Sequence, residues 1–377
     1  MASNAKHDWP MVRLGDVVEF LDHLRKPVAS ELRRIGEVPY YGANGQQGWI
    51  DDYLFDEELV LVAEDGGNFL HPQKGVAYKI SGKAWVNNHA HVLRSTEIID
   101  IDYVHYVLRN YDFAQYITGS TRAKLTKSNL KRVVIPLLPL DEQRRIAKIL
   151  DQVDSALVRV DQFLAGLLQL KQELFTASFL EDQRELITVG EYLESTQYGT
   201  SDKANENVGI PVLRMGNVSY NGEIDLSDLK YVELDIKDRE KYSLKAGDLL
   251  FNRTNSKDLV GKTAVVPALP EEYTYAGYLI RCRVNDKAVP EYISGYLNSV
   301  LGKKILRNTA KAIVGMANIN ANELKRLPIP KASLDEQQEF ASSTSRIEEV
   351  ESQMKRQRKL LQELQESLST RAFQGDL

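Results

Sequence analysis

Few residues in this 377-residue chain have the types and spacing that bond-breaking chemistry needs. Carboxylates that could gather a divalent cation for nuclease work are limited to Asp51, Asp52, Glu64 and Asp65. Glu323-Leu324-Lys325 has the look of the end of a metal-dependent nuclease motif. Its counterpart Asn129-Leu130-Lys131 lacks the carboxylate, so a shared structural role is expected of both. His89 and His91 fall on one side of a strand at metal-ligand spacing. With no Cys or third His nearby in sequence, hydrogen bonding or a nucleic-acid contact is preferred to zinc, and no metal site is expected. Asn-Pro-Pro-aromatic, Gly-rich cofactor and Gly-x4-Gly-Lys-Ser/Thr phosphate-binding motifs are missing from the sequence. The lone Cys282 rules out an internal disulfide and reads as a small buried apolar residue. No catalytic residue is assigned.

What remains to weigh is recognition of a polyanion, against the plainer reading of each charge run as a solvated face. A net charge of −5 argues mildly against a nucleic-acid partner, so the local distribution decides. Between Thr118 and Arg132 lie Arg122, Lys124, Lys127, Lys131 and Arg132 with no acid. Between Leu301 and Arg326 lie Lys303, Lys304, Arg307, Lys311, Lys325 and Arg326 against Glu323 alone. Acids gather instead in stretches such as Asp51 to Glu58 and Glu233 to Glu240. A phosphate backbone demands clustered cations, not overall basicity, and here the clusters occupy equivalent places in two halves.

The elements that must position these clusters are themselves repeated. Leu130-Lys131-Arg132, Ile135-Pro136 and Leu140-Asp141-Glu142-Gln143 recur as Leu324-Lys325-Arg326, Ile329-Pro330 and Leu334-Asp335-Glu336-Gln337, always 194 positions on. The halves open on Val12-Arg13-Leu14-Gly15-Asp16 and Ile187-Thr188-Val189-Gly190-Glu191. This is a duplication, and not a solenoid of short units. After each motif the apolar residues alternate three and four apart, the pattern of a coiled-coil seam: Ile146, Ile149, Val153, Ala156, Val160, Phe163, Leu167, Leu170, Leu174 and Ala177. The second seam runs Phe340, Ile347, Val350, Met354, Leu361, Leu364 and Leu368, with Ser343, Gln357 and Arg371 diluting it. Asp141 and Asp335 are the expected helix N-caps. The helices bury their stripes most simply against each other, antiparallel under a twofold relation, with a globular unit at either end and a length of roughly 50 Å. Leu150, Leu157, Leu164 and Leu168 form a second apolar line that either thickens this core or docks another subunit.

Ahead of each helix the sequence reads as α/β (α+β), richer in strand than helix. Strands are expected at 59–63, 76–80 and 90–93, then at 212–215, 248–251 and 264–266, with helices near 103–111 and 292–305. The domains expected are a tail or tag remnant (1–11), recognition domains at 12–140 and 187–334, and long helices at 141–182 and 335–377. No run approaches the roughly 20 apolar residues of a membrane span, and the first ten residues lack the core of a signal peptide, so a cytoplasmic protein is expected.

Taken in order, these motifs resemble the specificity subunit of Type I restriction-modification systems. The likeness lies in the doubled Ile-Pro and Leu-Asp-Glu-Gln with its helix, together with Tyr40-Tyr41-Gly42-Ala43-Asn44-Gly45, Glu64-Asp65-Gly66 and Trp85 to Leu93 in the first half. Ile210 to Asn217, Leu244 to Arg253 and Leu259 to Lys262 carry it in the second. The resemblance implies a non-catalytic DNA reader. Each recognition domain would read half of a bipartite, asymmetric site, and the helix pair would set the spacer and hold two modification (methyltransferase) subunits. S-adenosylmethionine would bind in those partners, and restriction subunits would join later.

On that footing the base-reading candidates are Asn44, Gln46, Gln47, Trp49, Asn87, Asn88 and His89 in the first half. In the second they are Asn217, Tyr220, Asn252, Arg253, Thr254, Asn255, Ser256 and Lys257. Arg and Lys can pair with guanine and Asn and Gln with adenine in the major groove, although for any single Asn turn geometry is the favoured explanation and only the sets point to base reading. Phosphate contacts are assigned to Ser120, Thr121, Arg122, Lys124, Lys127, Lys304, Arg307 and Lys311. A metal-dependent nuclease and a purely structural coiled-coil adaptor are the alternatives.

Overall fold

The computed structural model describes residues 9–66, 68–69, 75–109, 111–119, 123–181, 183–313 and 316–374. The chain forms two compact units, Met1–Val160 with Gln357–Leu377, and Asp161–Arg356.

In the first unit, Leu59–Ala63 is a run of five fully buried apolar residues, which makes it a central strand. It pairs antiparallel with Ala77–Ile80 on one side and Ala90–Arg94 on the other, and Glu19–Phe20 closes the sheet. A second sheet joins the hairpin Val38–Gly42 and Gly45–Ile50 to Lys83–Val86, which runs parallel to the first hairpin strand, and to Phe55–Asp56. The helix Ile101–Arg109 covers the first sheet with Tyr103, Val104, Val107 and Leu108.

The second unit repeats this plan with different residues. Its central strand Leu249–Asn252 lies between Thr263–Val265 and Leu279–Val284, with Leu193–Tyr198 beyond. Ile210–Leu213 again pairs parallel with a later strand, Thr274–Tyr275, and antiparallel with Lys230–Val232. The single helix expected near 292–305 is two, Pro290–Asn298 and Val300–Thr309. Ser299 is extended between them, and its hydroxyl caps the second helix by accepting from Gly302 N.

The repeated motifs are the fasteners of this plan. Met11–Arg13 pairs with Val134–Pro136, and Leu186–Thr188 with Pro328–Pro330. Gly15 and Gly190 follow these strands because a Cβ there would lie 2.8 Å from Lys131 Cβ and 3.0 Å from the Lys325 carbonyl. The Pro136 and Pro330 carbonyls accept from the hydroxyls of Tyr103 and Tyr292. Gln143 and Gln337 are fully buried. Gln143 Oε1 accepts from Asp100 N at 2.8 Å, while its Nε2 donates to the carbonyls of Ile98 and Leu138. Gln337 does the same with Val289 N, Lys287 O and Ala332 O.

Leu140–Phe179 and Leu334–Gln374 are unbroken helices of 40 and 41 residues. They pair antiparallel. In the second unit Phe175 and Phe179 meet Phe340 at 5.4 and 5.6 Å, and Lys171 pairs with Glu348 at 3.0 Å. In the first unit Asp154 accepts from Gln365, and Ile146 and Leu150 share a core with Leu368 and Ala372.

Several details of the helices differ from expectation. Ser333, not Asp335, caps the second helix, exchanging hydrogen bonds with Glu336. Asp141 and Asp335 lie in the first turns, where the helix dipole favours them. Val153, Val160 and Leu167 are buried, and Ile347, Val350, Met354 and Leu361 are half-buried. Phe163, Leu170 and Leu364 are about half exposed, Ile149 and Leu174 only partly buried, and the buried positions shift to Ala147, Phe175, Phe179 and Ala372. A straight helix has 3.6 residues per turn, so a stripe counted at 3.5 drifts off the contact line. Leu150 is wholly inside the first unit's core and cannot dock a partner, whereas Leu157, Leu164 and Leu168 remain half-buried.

Candidate nucleic-acid interface

In the first unit three loops converge beyond the end of the central strand. Asn44, at the tip of the Val38–Ile50 hairpin, donates to Gly66 O at 2.8 Å, and Gln47 accepts from Asn87 Nδ2 at 3.2 Å. Gln46, Gln47, Trp49 and Asn88 are exposed, with Gln46 reaching only Gly48 O at 3.2 Å. Asn87 is buried, and its Oδ1 accepts from His89 N at 2.8 Å, so it shapes the turn that presents Asn88 and His89. His89 Nδ1 lies 2.6 Å from Asp65 Oδ1.

Beneath this edge sits an ionic cluster. His91 is fully buried, its Nδ1 2.7 Å from Asp22 and its Nε2 2.7 Å from the Leu125 carbonyl, so both ring nitrogens are committed. Glu64 takes Arg25 at 2.8 Å and Lys124 at 3.1 Å. Burial alone would raise the pKa values of Asp22 and Glu64. The hydrogen bonds and charges of His91 and Arg25 beside Asp22, and of Arg25, Lys124 and His91 beside Glu64, outweigh it and hold both below the usual carboxylate range. Lys124 is thus tethered at the margin, and its backbone bridges Asp65 and Thr118. Lys127 lies over the Phe20 ring at 5.6 Å. Ser120, Thr121 and Arg122 fall outside the described residues.

The sequence reading missed Arg33, whose guanidinium stacks 3.7 Å from the Tyr40 ring centroid and stands beside Gly48 of the hairpin. The Arg33-Arg34 pair was the available signal, masked by Glu31 and Glu37 on either side.

In the second unit the corresponding edge is built differently. Asn217 is buried and spent: Nδ2 donates to the carbonyls of Asp225 and Asp228, and Oδ1 accepts from Arg214 N, each at 2.9 Å. Asn252 and Thr254 are also buried, so these three shape the edge from within. Asn255 is half-buried, Ser256 and Lys257 are exposed, and Arg253 is half-exposed over the Tyr198 ring at 4.9 Å. Thr254–Asn255 pairs with Met316–Asn318, itself paired with Lys311–Ile313. Tyr220 is exposed beneath Lys303, whose Nζ sits 3.0 Å from the ring centroid and donates to Tyr220 O at 2.7 Å. Burial pulls the Lys303 pKa down to about 8. Lys304 is exposed, Arg307 pairs with Asp258 at 3.3 Å, and Lys311 with Glu323 at 2.6 Å.

Glu323 also accepts from Asn320 N, a helix-capping contact that gives its carboxylate a structural use. Gly261-Lys262-Thr263 has the ending of a phosphate-binding loop, but Lys262 is buried and donates to the Met215 carbonyl. Arg281 donates to the carbonyls of Lys241 and Ser243, and Arg283 pairs with Asp248, so both are spent inside the unit. Among the described residues no group of three His, Cys, Asp or Glu could hold a metal ion, and no helix is long and apolar enough to cross a membrane.

Two unlike polar edges stand on one duplicated sheet-and-helix frame, and comparison with known proteins gives the family to which that arrangement belongs. The chain belongs to the family of Type I restriction modification DNA specificity domains, non-catalytic subunits that it matches over residues 6–168 and 182–365. It is 29% identical over 264 residues to a putative type I restriction enzyme specificity subunit of Haemophilus influenzae, covering 67% of this chain and 66% of that protein. It is 26% identical over 314 residues to the EcoKI specificity subunit of Escherichia coli K12, covering 76% and 68%. The matched part therefore spans about two thirds of these relatives' own lengths. The fold is that of the Type I restriction-modification S subunit from M. genitalium, with a TM-score of 0.66, 15% identity and coverage of 99% and 98%. A chain from structural work on complex assembly and conformational transition of the type I R-M system superposes with a TM-score of 0.57 and 16% identity, covering 98% of each.

Proposed function

We propose that this chain reads a bipartite, asymmetric site on double-stranded DNA for a Type I restriction-modification complex. Recognition falls to residues 12–140 for one half-site and 187–334 for the other. The helices, 141–182 and 335–377, set the unread spacer and carry two modification subunits, to which S-adenosylmethionine binds; restriction subunits join that assembly in the cytoplasm. The observation that carries the reading is the contrast between identical fasteners and unlike edges. Gln143 and Gln337 make the same three hydrogen bonds, while one edge presents Asn44, Gln47, Asn88 and His89 and the other Tyr220, Arg253, Ser256 and Lys257. A duplicated frame with unlike readers gives unlike half-sites.

Scale supports the spacer role, because a 40-residue helix spans about 60 Å and half-sites one turn apart lie roughly 34 to 36 Å centre to centre. Leu157, Leu164 and Leu168 are the docking candidates that remain. Direct base contacts fall to the accessible members of each edge: Asn44, Gln46, Gln47, Trp49, Asn88 and His89, and Tyr220, Arg253, Asn255, Ser256 and Lys257. Single-molecule methylation mapping of DNA from cells carrying the chain with its modification subunit tests this. Two separated half-sites are expected, and lengthening one helix should alter only the gap. A single continuous motif, or no motif, refutes the proposal.

A further inference from the structure

We propose that Arg253 is the guanine-reading side chain of the second unit, oriented by the ring of Tyr198. The inference rests on the DNA-reading function proposed above and assigns one base pair of one half-site to one residue. Arg253 is the first residue beyond the central strand, and its backbone is pinned on both sides: its N–H donates to Tyr278 O at 3.0 Å and its carbonyl accepts from Ile319 N at 2.9 Å. The guanidinium stacks on Tyr198, whose hydroxyl is itself fixed by accepting from Ala321 N at 3.0 Å. Nη2 donates weakly, at 3.4 Å, to Asn318 Oδ1, and Asn318 is held in turn by Thr254 Oγ1 at 2.7 Å.

Arg253 combines the lack of a counter-charge with partial exposure at the edge, whereas Arg281, also stacked on a ring and without a carboxylate, is buried and spends its fork on the carbonyls of Lys241 and Ser243. Arg214, Arg283 and Arg307 of the same unit pair with Asp228, Asp248 and Asp258, whereas among the described residues no carboxylate meets Arg253 and its Nε has no partner. A planar fork of donors, stacked so that little side-chain freedom is left to lose, matches the O6 and N7 acceptors of guanine.

The first unit supplies the contrast. Its residue in the same backbone socket is Glu64, whose N–H donates to His89 O and whose carbonyl accepts from Leu125 N, each at 2.8 Å. Glu64 is neutralised by Arg25 and Lys124 and offers no donor to a base. One socket therefore carries a free cation in one unit and a spent anion in the other, and guanine reading from this position is confined to the second half-site.

The test is selection from randomised DNA duplexes by the full chain, comparing the wild type with Arg253→Lys and Arg253→Gln. The wild type should enrich one G·C pair in one half-site. Both substitutions should erase that preference, a discrimination of roughly 5- to 150-fold, and leave the other half-site intact. Arg253→Lys keeps the charge but not the fork, so its affinity for non-specific DNA should stay at the wild-type level, and unchanged melting would show that both variants fold. A G·C preference retained in both variants overturns the assignment. So does an equal loss at every sequence with a shallower salt dependence, which marks a phosphate contact. If the wild type itself enriches no half-site, the DNA-reading function fails, and with it the assignment.

Discussion

Replacing Gln143 by Leu roughly keeps the side-chain volume and removes the three hydrogen bonds by which the first turn of the long helix holds the segment before helix Ile101–Arg109 and the end of its own entry loop. The side chain is fully buried and serves Asp100 N, Ile98 O and Leu138 O. At about 1 kcal/mol net for each bond, the loss is about 3 kcal/mol, and more if the orphaned groups stay dry. With a urea dependence of roughly 2 kcal/mol per molar, the midpoint should fall by about 1.5 M. The chain carries its own reporter, because its three tryptophans, Trp9, Trp49 and Trp85, all belong to the unit that Gln143 fastens. Tryptophan fluorescence during urea unfolding of the full chain therefore reads the effect directly. A midpoint shift below roughly 0.3 M would refute the view that this glutamine is a structural tie.

Acidification should unfasten the ionic cluster of the first unit. Asp22 and Glu64 have lowered pKa values, so the stability they contribute is complete above their unfolded pKa values, near 4 to 4.5, and is lost as the pH falls through the lower folded ones. Urea midpoints between pH 6 and 3 should fall less steeply for Glu64→Gln than for the wild type. Lys304→Ala should weaken binding equally at all DNA sequences and reduce the slope of log affinity against log salt by about 0.9; an unchanged slope removes Lys304 from the phosphate contacts. Joint replacement of Asn44 and Gln47 by Ala should alter one half-site in mapped methylation and leave the other untouched, and changes in both would contradict modular reading. Burial pushes the Cys282 thiol up to about 12, so at pH 8 it should resist a thiol reagent until urea exposes it.

The frame was far more legible in the sequence than the reading edges. Leu-Asp-Glu-Gln and Ile-Pro could be recognised as a repeat because their neighbours make one geometry in both units, down to Tyr103 and Tyr292 on the proline carbonyls. The function of the glutamine was not legible, since a Gln in a helix's first turn is ordinarily solvent-facing and only the folded unit brings three loop backbone groups to it. Asn217 and Asn252 looked like Asn44 in type and setting. What separates them is burial, nearly complete for Asn217 and Asn252 with their amides turned to inner carbonyls and absent for Asn44 at a hairpin tip, which is a tertiary fact. The seams were legible as stripes, yet Phe163 and Leu364 show that a stripe marks apolar spacing and not the line of contact.

The first unit is assembled from two distant stretches: Ala372 is buried in the same core as Leu14 and Tyr103, and the Phe373 ring lies 6.0 Å from that of Tyr103. During synthesis, residues 161–356 leave the ribosome as one contiguous piece and can complete their unit at once. The segment made before them can bury most of its own core, but the patch beside Tyr103 that Ala372 and Phe373 cover stays open until the last residues emerge. That patch is the apolar surface which the growing chain exposes longest.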